Sequence, residues 1–244
     1  SGTTFLLTKH LEAVCTTSRT GFDWVGGVGL TATWSRPFFY GARHVEEVAG
    51  TVAGTTWSIG YVPPDLTLPA ISTLRQPVTV TLLDGNGFNP ITIAAGTYSA
   101  RPRAALQNQS GAWVLPTPAS GVSAMASVVP PAGAAATNPA NWGLAGSISD
   151  PIPAAAYPIS GFVWMNAYSC YSSTDVGQGL RGFFSWHTNA VNTQITTILN
   201  ARQFGRLPGN WQTAVRNLVV NAPLTRIAGV REVLNPNCTG RPGA

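Results

Sequence analysis

SGTTFLLTKHLEAV, residues 1–14, decides how the rest of the chain is read. Leu7, Leu11 and Val14, together with His10, recur at the i, i+4, i+7 spacing of one helical face, so the spacing predicts a helix over 3–15. Ser1-Gly2-Thr3 stands where the cap of that helix belongs. The first turn of a helix leaves about four backbone N–H groups without intrahelical partners, and the aligned peptide dipoles place about half a positive charge there. Glycine lets an anion approach the backbone, and serine and threonine hydroxyls add donors. Ser1, Gly2 and Thr3 are therefore candidate oxyanion-binding residues. The plain alternative is an ordinary N-cap, a position that serine and threonine favour on their own account. A free amino-terminal Ser1 with its own amine as base would suit an amino-terminal hydrolase, but such enzymes open on a strand, and here a helix follows.

Outward from this helix, strand and helix signals alternate. Val45, Val48 and Val52 share one side of a second helix over about 42–53, with Gly54 at its end. Trp57 to Val62 reads as a strand stopped by Pro63-Pro64. Over 77–99, Val78, Val80 and Leu82 alternate with threonines, Asp84-Gly85-Asn86-Gly87 supplies the turn, and Ile91 and Ile93 return, which predicts a hairpin. From about 116 to 156 the chain is rich in Pro, Ala, Gly and Ser, a crossing segment with room for a short helix at 120–129. Ile159 to Tyr168 carries Phe162, Val163, Trp164 and Met165 in an unbroken run and reads as a buried strand. A helix follows at 176–189, residues 191–203 form a weakly periodic segment broken at Gly205 and Pro208, and Trp211, Val215, Leu218 and Val219 mark a last amphipathic helix. The alternation points to an α/β fold with mixed or parallel sheets.

Composition narrows the function classes. Charged residues make up only 9% of the 244 residues, and the net charge is +5, with 14 basic residues against nine acidic ones. A net positive charge suits an anionic ligand. The basic residues form no run of three and no stripe with interleaved aromatics, so nucleic-acid binding is not expected. No stretch of 18 apolar residues occurs, so no membrane-spanning helix is expected. A surface so poor in charge is commoner outside the cytosol, which makes a secreted, extracellular or periplasmic location the expectation. The chain opens at Ser1 without methionine or a leader, the form of a processed product or a fragment.

Cys15, Cys170 and Cys238 have no metal-ligand spacing, so neither a metal nor a cofactor is expected; they are read as buried thiols or as one bridge and one remaining thiol. Asn108-Gln109-Ser110 and Asn237-Cys238-Thr239 are sequons, which makes Asn108 and Asn237 candidate glycosylation sites. His10, His44 and His187 lie far apart and read as packing or surface residues, and Glu46-Glu47 as a solvated helix face. Arg36 and Arg43, flanking Pro37 to Gly41, are candidate anion contacts.

Taken in order, Ser1-Gly2-Thr3-Thr4-Phe5, Ser58-Ile59-Gly60-Tyr61-Val62, Gln107 to Gly111 with Leu115-Pro116-Thr117, Tyr157-Pro158-Ile159-Ser160-Gly161, Phe183-Phe184-Ser185-Trp186 and Gly205-Arg206-Leu207-Pro208 resemble the C-terminal two-thirds of the substrate-binding subunit of the phosphate ABC transporter, the PstS-like family. The resemblance implies a two-lobed, periplasmic-binding-protein-like (type II) α/β fold. It implies a non-catalytic solute-binding protein whose ligand is inorganic phosphate or a similar oxyanion, held by Ser1, Gly2 and Thr3. The family's further ligands precede these residues, so the first lobe is expected to be incomplete and to be supplied by the rest of a precursor or by another chain. The expected partition is 1–155 for the S-G-T lobe, with the 77–99 hairpin inserted, and 156–244 for the returning part of the first lobe. Cys170 and Cys238 then share a lobe and are expected to form a disulfide, with Cys15 apart. Tyr40-Gly41-Ala42-Arg43-His44 replaces the family's glycine-rich approach to the second helix, which supports an alternative: an extracellular structural or assembly domain that keeps the fold without the ligand.

Overall fold

The computed structural model describes residues 2–30, 45–55, 58–64, 72–74, 78–84, 87–93, 96–98, 103–145, 148–168, 171 and 174–220. The opening helix forms as the spacing predicts, as α1 (Gly2–Val14), but it turns a different face inward. Thr4 and Thr8 are its buried residues, while Leu7, Leu11 and Val14 are half-buried. The buried threonines are satisfied. The Thr8 hydroxyl donates to the carbonyls of Thr4 (2.9 Å) and Phe5 (3.2 Å) and accepts from the Gly29 N–H at 3.3 Å. Two helices follow, α2 (Thr17–Thr20) and α3 (Val45–Gly54). α2 stops at Gly21, whose φ of 79° is the left-handed conformation glycine adopts without penalty.

The expected hairpin is present. β2 (Val78–Asp84) pairs antiparallel with β3 (Gly87–Ile93) in a register from Val78↔Ile93 to Asp84↔Gly87, leaving Gly85 and Asn86 as the turn. Beside it, β1 (Ser72–Leu74) pairs with β4 (Gly96–Tyr98). A small ladder joins β5 (Leu106–Gln107) to β6 (Trp113–Val114).

All ladders among the described residues are two-stranded and antiparallel, so the mixed or parallel sheet expected from the alternation is not found there. Residues 58–62 and 159–168 run as irregular chain where strands were expected. A strand exists only through its neighbour, and no described segment lies beside either stretch to close a ladder. The second stretch is also not buried: Val163, Trp164 and Met165 are 77%, 45% and 51% exposed.

The crossing segment carries α4 (Pro118–Ala126), close to the helix expected at 120–129. It opens on a capping box: the Ser120 N–H donates to Thr117 Oγ1 at 3.1 Å and the Thr117 N–H to Ser120 Oγ at 2.9 Å, with Pro118 in the first turn. A five-residue 3₁₀ turn (Gly133–Thr137) leads into α5 (Pro139–Ala145). The last helices are α6 (Thr174–His187), α7 (Thr193–Ala201) and α8 (Gly209–Val215), which runs on into a π turn, Arg216–Val220.

The core lies where α4 meets the chain after it. Ala124, Met125, Ile148 and Ala156 are buried together, with Val122, Val128 and Phe162 packed against them. Trp211 of α8 closes the cluster: its ring centroid lies 4.2 Å from that of Phe162 and 5.9 Å from that of Trp142, and its indole N–H donates to the Val128 carbonyl at 2.9 Å. A tryptophan can be buried this fully because its single polar group has found a partner.

Candidate functional site

α1 begins at Gly2, which is exposed and faces open space, and Thr3 behind it is half-buried. No acidic side chain occupies its first turn, so the first N–H groups face no competing carboxylate from the helix itself. Ser1, Arg36 and Arg43 lie outside the described residues, so of the sequence-derived anion contacts only Gly2 and Thr3 have a described position, adjacent at the helix start.

Four segments grip α1 from behind this end. The Thr4 hydroxyl, buried, lies 3.1 Å from the Tyr61 hydroxyl. One turn on, Thr8 is tied to Gly29. Leu6 rests on Gly161, where a Cβ would come within 2.6 Å of the leucine. The Ser149 hydroxyl donates to the Lys9 carbonyl at 3.3 Å, and the neighbouring Asp150 pairs with Arg19 at 2.6 Å. Gly161 belongs to the Tyr157-Pro158-Ile159-Ser160-Gly161 motif, whose Pro158 is fully buried and whose Ser160 hydroxyl donates to the Tyr157 carbonyl at 2.9 Å. The motif is thus a packing device against α1.

His10, on α1, has a buried Nδ1 without a hydrogen-bond partner, and burial holds its pKa below the ordinary imidazole value; Asp150 acts against that shift and Arg19 with it. His187 is lowered in the same direction, first by burial and then by the Arg206 guanidinium. Arg206, in the Gly205-Arg206-Leu207-Pro208 motif, donates to the carbonyls of Asn189 and Ala190 and to the Thr196 hydroxyl, so it ties the α6–α7 connection together.

Asn108 is used differently from the sequon reading. Its amide is buried and donates to the carbonyls of Pro153, Ala154 and Ala156, while its Oδ1 accepts from the Ser110 N–H, the Ser110 hydroxyl and the Ala112 N–H. A nitrogen so enclosed is not presented for glycan attachment in the folded chain. Asn237, Cys170 and Cys238 lie outside the described residues, and Cys15 is an unbridged, half-buried thiol. Thr4 and Tyr61 stand inside the quoted Ser1–Phe5 and Ser58–Val62 segments without a role of their own in the sequence, and Thr8 stands outside both. Their signal was a pair of threonines at i, i+4 on a helix otherwise judged by its leucines.

No family model matches the chain. It is 30% identical over 266 residues to a phosphate-binding protein from an unknown prokaryotic organism, matching 99% of this chain and 62% of that protein. It is 28% identical over 257 residues to alkaline phosphatase L of Pseudomonas aeruginosa, matching 99% of this chain and 57% of that protein. Among solved structures, an ancestral soluble variant of the human phosphate binding protein matches with a TM-score of 0.56 at 22% identity, over 100% of this chain and 60% of that one. A DING protein matches with a TM-score of 0.52 at 20% identity, over 100% and 61%. The chain therefore spans about 60% of the length of these proteins, and it shares their fold.

Proposed function

We infer that this chain, which resembles PstS-like phosphate-binding proteins along its whole length and has their periplasmic-binding-protein-like fold, forms one wall of a phosphate or oxyanion site and works by binding, not by catalysis. Ser1, Gly2 and Thr3 supply hydroxyls and first-turn amides, and Arg36 and Arg43 are the candidate cations. The observation that carries the reading is that α1 opens at exposed Gly2 with no acidic residue in its first turn, at the segment where the sequence matches a protein named for phosphate binding. Preorganised N–H and hydroxyl donors hold an oxyanion without activating a nucleophile, which separates this role from that suggested by the name alkaline phosphatase L.

We further propose that the remaining part of the fold, from the same precursor or a neighbouring subunit, covers the exposed Val163-Trp164-Met165 stretch, and that the protein acts outside the cytosol. The deciding experiment is equilibrium titration of the purified assembly, this chain together with the remaining part of its fold, with inorganic phosphate, against sulfate at matched ionic strength. Saturable phosphate binding that sulfate does not displace supports the reading. Absence of binding to either anion favours a structural domain that keeps the fold without the ligand.

A further inference from the structure

We propose that Tyr61 is a positioning residue for the oxyanion site, acting through Thr4; the inference rests on the reading of α1 given above. Thr4 is buried in the first turns of α1, directly behind Gly2 and Thr3, and its hydroxyl meets the Tyr61 hydroxyl at 3.1 Å. The two residues are 57 positions apart, so the bond joins separate parts of the chain. Tyr61 is itself held in place. Gly60 lies so close to α3 that a Cβ there would stand 2.7 Å from Val52 Cγ2 and 3.0 Å from Val48 Cγ1. The Ser58 hydroxyl donates to the Val52 and Thr55 carbonyls, at 3.2 and 2.7 Å, which fastens the segment to the C-terminal end of α3.

The linkage therefore runs from α3 through 58–61 to the Thr4 hydroxyl. It stops at the residue next to the donors. The start of a helix frays because its first N–H groups make no intrahelical bonds. Donors that move must be ordered when the ligand arrives, and the cost of ordering them is subtracted from the affinity. A side-chain bond at the fourth residue fixes the first turn before the anion binds. Thr8, bonded to the Thr4 carbonyl, carries the same fixation one turn further to Gly29.

The test uses Tyr61→Phe, Thr4→Val, their double substitution and Thr4→Ser. Inorganic phosphate affinity is measured by calorimetry on the assembly of this chain with the remaining part of its fold, and amide hydrogen exchange is read without ligand at Leu6, Leu7 and Thr8, whose N–H groups close the first turns of the helix. Tyr61→Phe and Thr4→Val should each weaken phosphate about three- to tenfold and speed exchange at those amides. The double substitution should be no worse than either single one, and Thr4→Ser should restore both readouts. A parent that binds phosphate while both variants match it in affinity and exchange would overturn the clamp and leave the binding reading intact. A parent that binds no phosphate would overturn the binding reading, and unchanged exchange in the variants would then overturn the clamp separately.

Discussion

Thr3 and Asn108 show how differently two polar residues serve this chain. Thr3 is half-buried at the start of α1, where the proposed function assigns its hydroxyl to the ligand. Thr3→Val removes one donor to a charged group, at a cost of about 1.5 to 3 kcal/mol, so phosphate affinity should fall roughly tenfold or more with the melting temperature nearly unchanged. Asn108 is the reverse case. Replacing it with alanine leaves the carbonyls of Pro153, Ala154 and Ala156 without its amide, and the N–H groups of Ser110 and Ala112 without its oxygen. Asn108→Ala should therefore cost about 2 to 4 kcal/mol in denaturant unfolding; a cost under about 1 kcal/mol would show that water takes over these bonds. The histidines set a pH dependence with a definite sign. Burial lowers the folded-state pKa of His10 and of His187 below the unfolded value, so between the two values the unfolded chain binds more protons. Their contribution is present above about pH 6.5 and is lost as pH falls through the folded pKa. His10→Gln should flatten the fall in unfolding free energy between about pH 7 and 5, and an unaltered slope would show that His10 does not titrate in that window.

Elements governed by local chemistry were legible in the sequence; elements that depend on a distant neighbour were not. α1, α4, α6 and the β2–β3 hairpin carry their own instructions: apolar spacing, the Thr117–Ser120 capping box, and a turn at Gly85-Asn86. Residues 58–62 and 159–168 have strand composition but no ladder, because β-branched and aromatic content says that a segment can pair and not that a partner is beside it. Which face of α1 turns inward also depends on distant neighbours. Leucines mark a face as apolar, yet Thr4 and Thr8 go inside because Tyr61 and Gly29 satisfy them, and those partners are visible only in three dimensions. Of the candidate site, the S-G-T start was legible from cap chemistry, while Tyr61 behind it was not. Packing between elements is equally specific. Gly205 sits against the start of α4, where an added methyl would stand 2.6 Å from Val122 Cγ2 and 2.7 Å from the Pro118 carbonyl oxygen. The valine can move but the backbone oxygen cannot. Gly205→Ala should thus cost about 1 to 3 kcal/mol in chemical denaturation, and a neutral result would mean that the α7–α8 connection packs loosely on α4.

At the scale of the molecule, the core joins Val122 to Val128 with Ile148, Ala156, Phe162 and Trp211, so a division of the chain at 155 would pass through this cluster. The Arg103 guanidinium crosses the same position, since it donates to the Pro116 carbonyl at 2.8 Å and to the Gln203 amide oxygen at 2.5 Å. The same core explains the exposed stretch beyond it. Phe162 turns inward against Trp211, but the next residues lie at the rim of the cluster: Val163, Met165 and Tyr168 are more than half exposed, and Trp164 keeps ring contacts with Phe162 and Trp211. An apolar surface of this kind marks an interaction site or an association hazard. If it receives further polypeptide of the fold, the chain alone should associate through it. Light scattering of residues 1–244 should then show concentration-dependent association, with binding of a hydrophobic dye. Val163→Lys combined with Met165→Lys should suppress both while changing unfolding free energy by about 0.5 kcal/mol or less, because both side chains are already largely in water. A parent chain that stays monomeric and dye-silent would show that this face is simply solvated, and the proposed covering of Val163-Trp164-Met165 by the remaining part of the fold would fall with it.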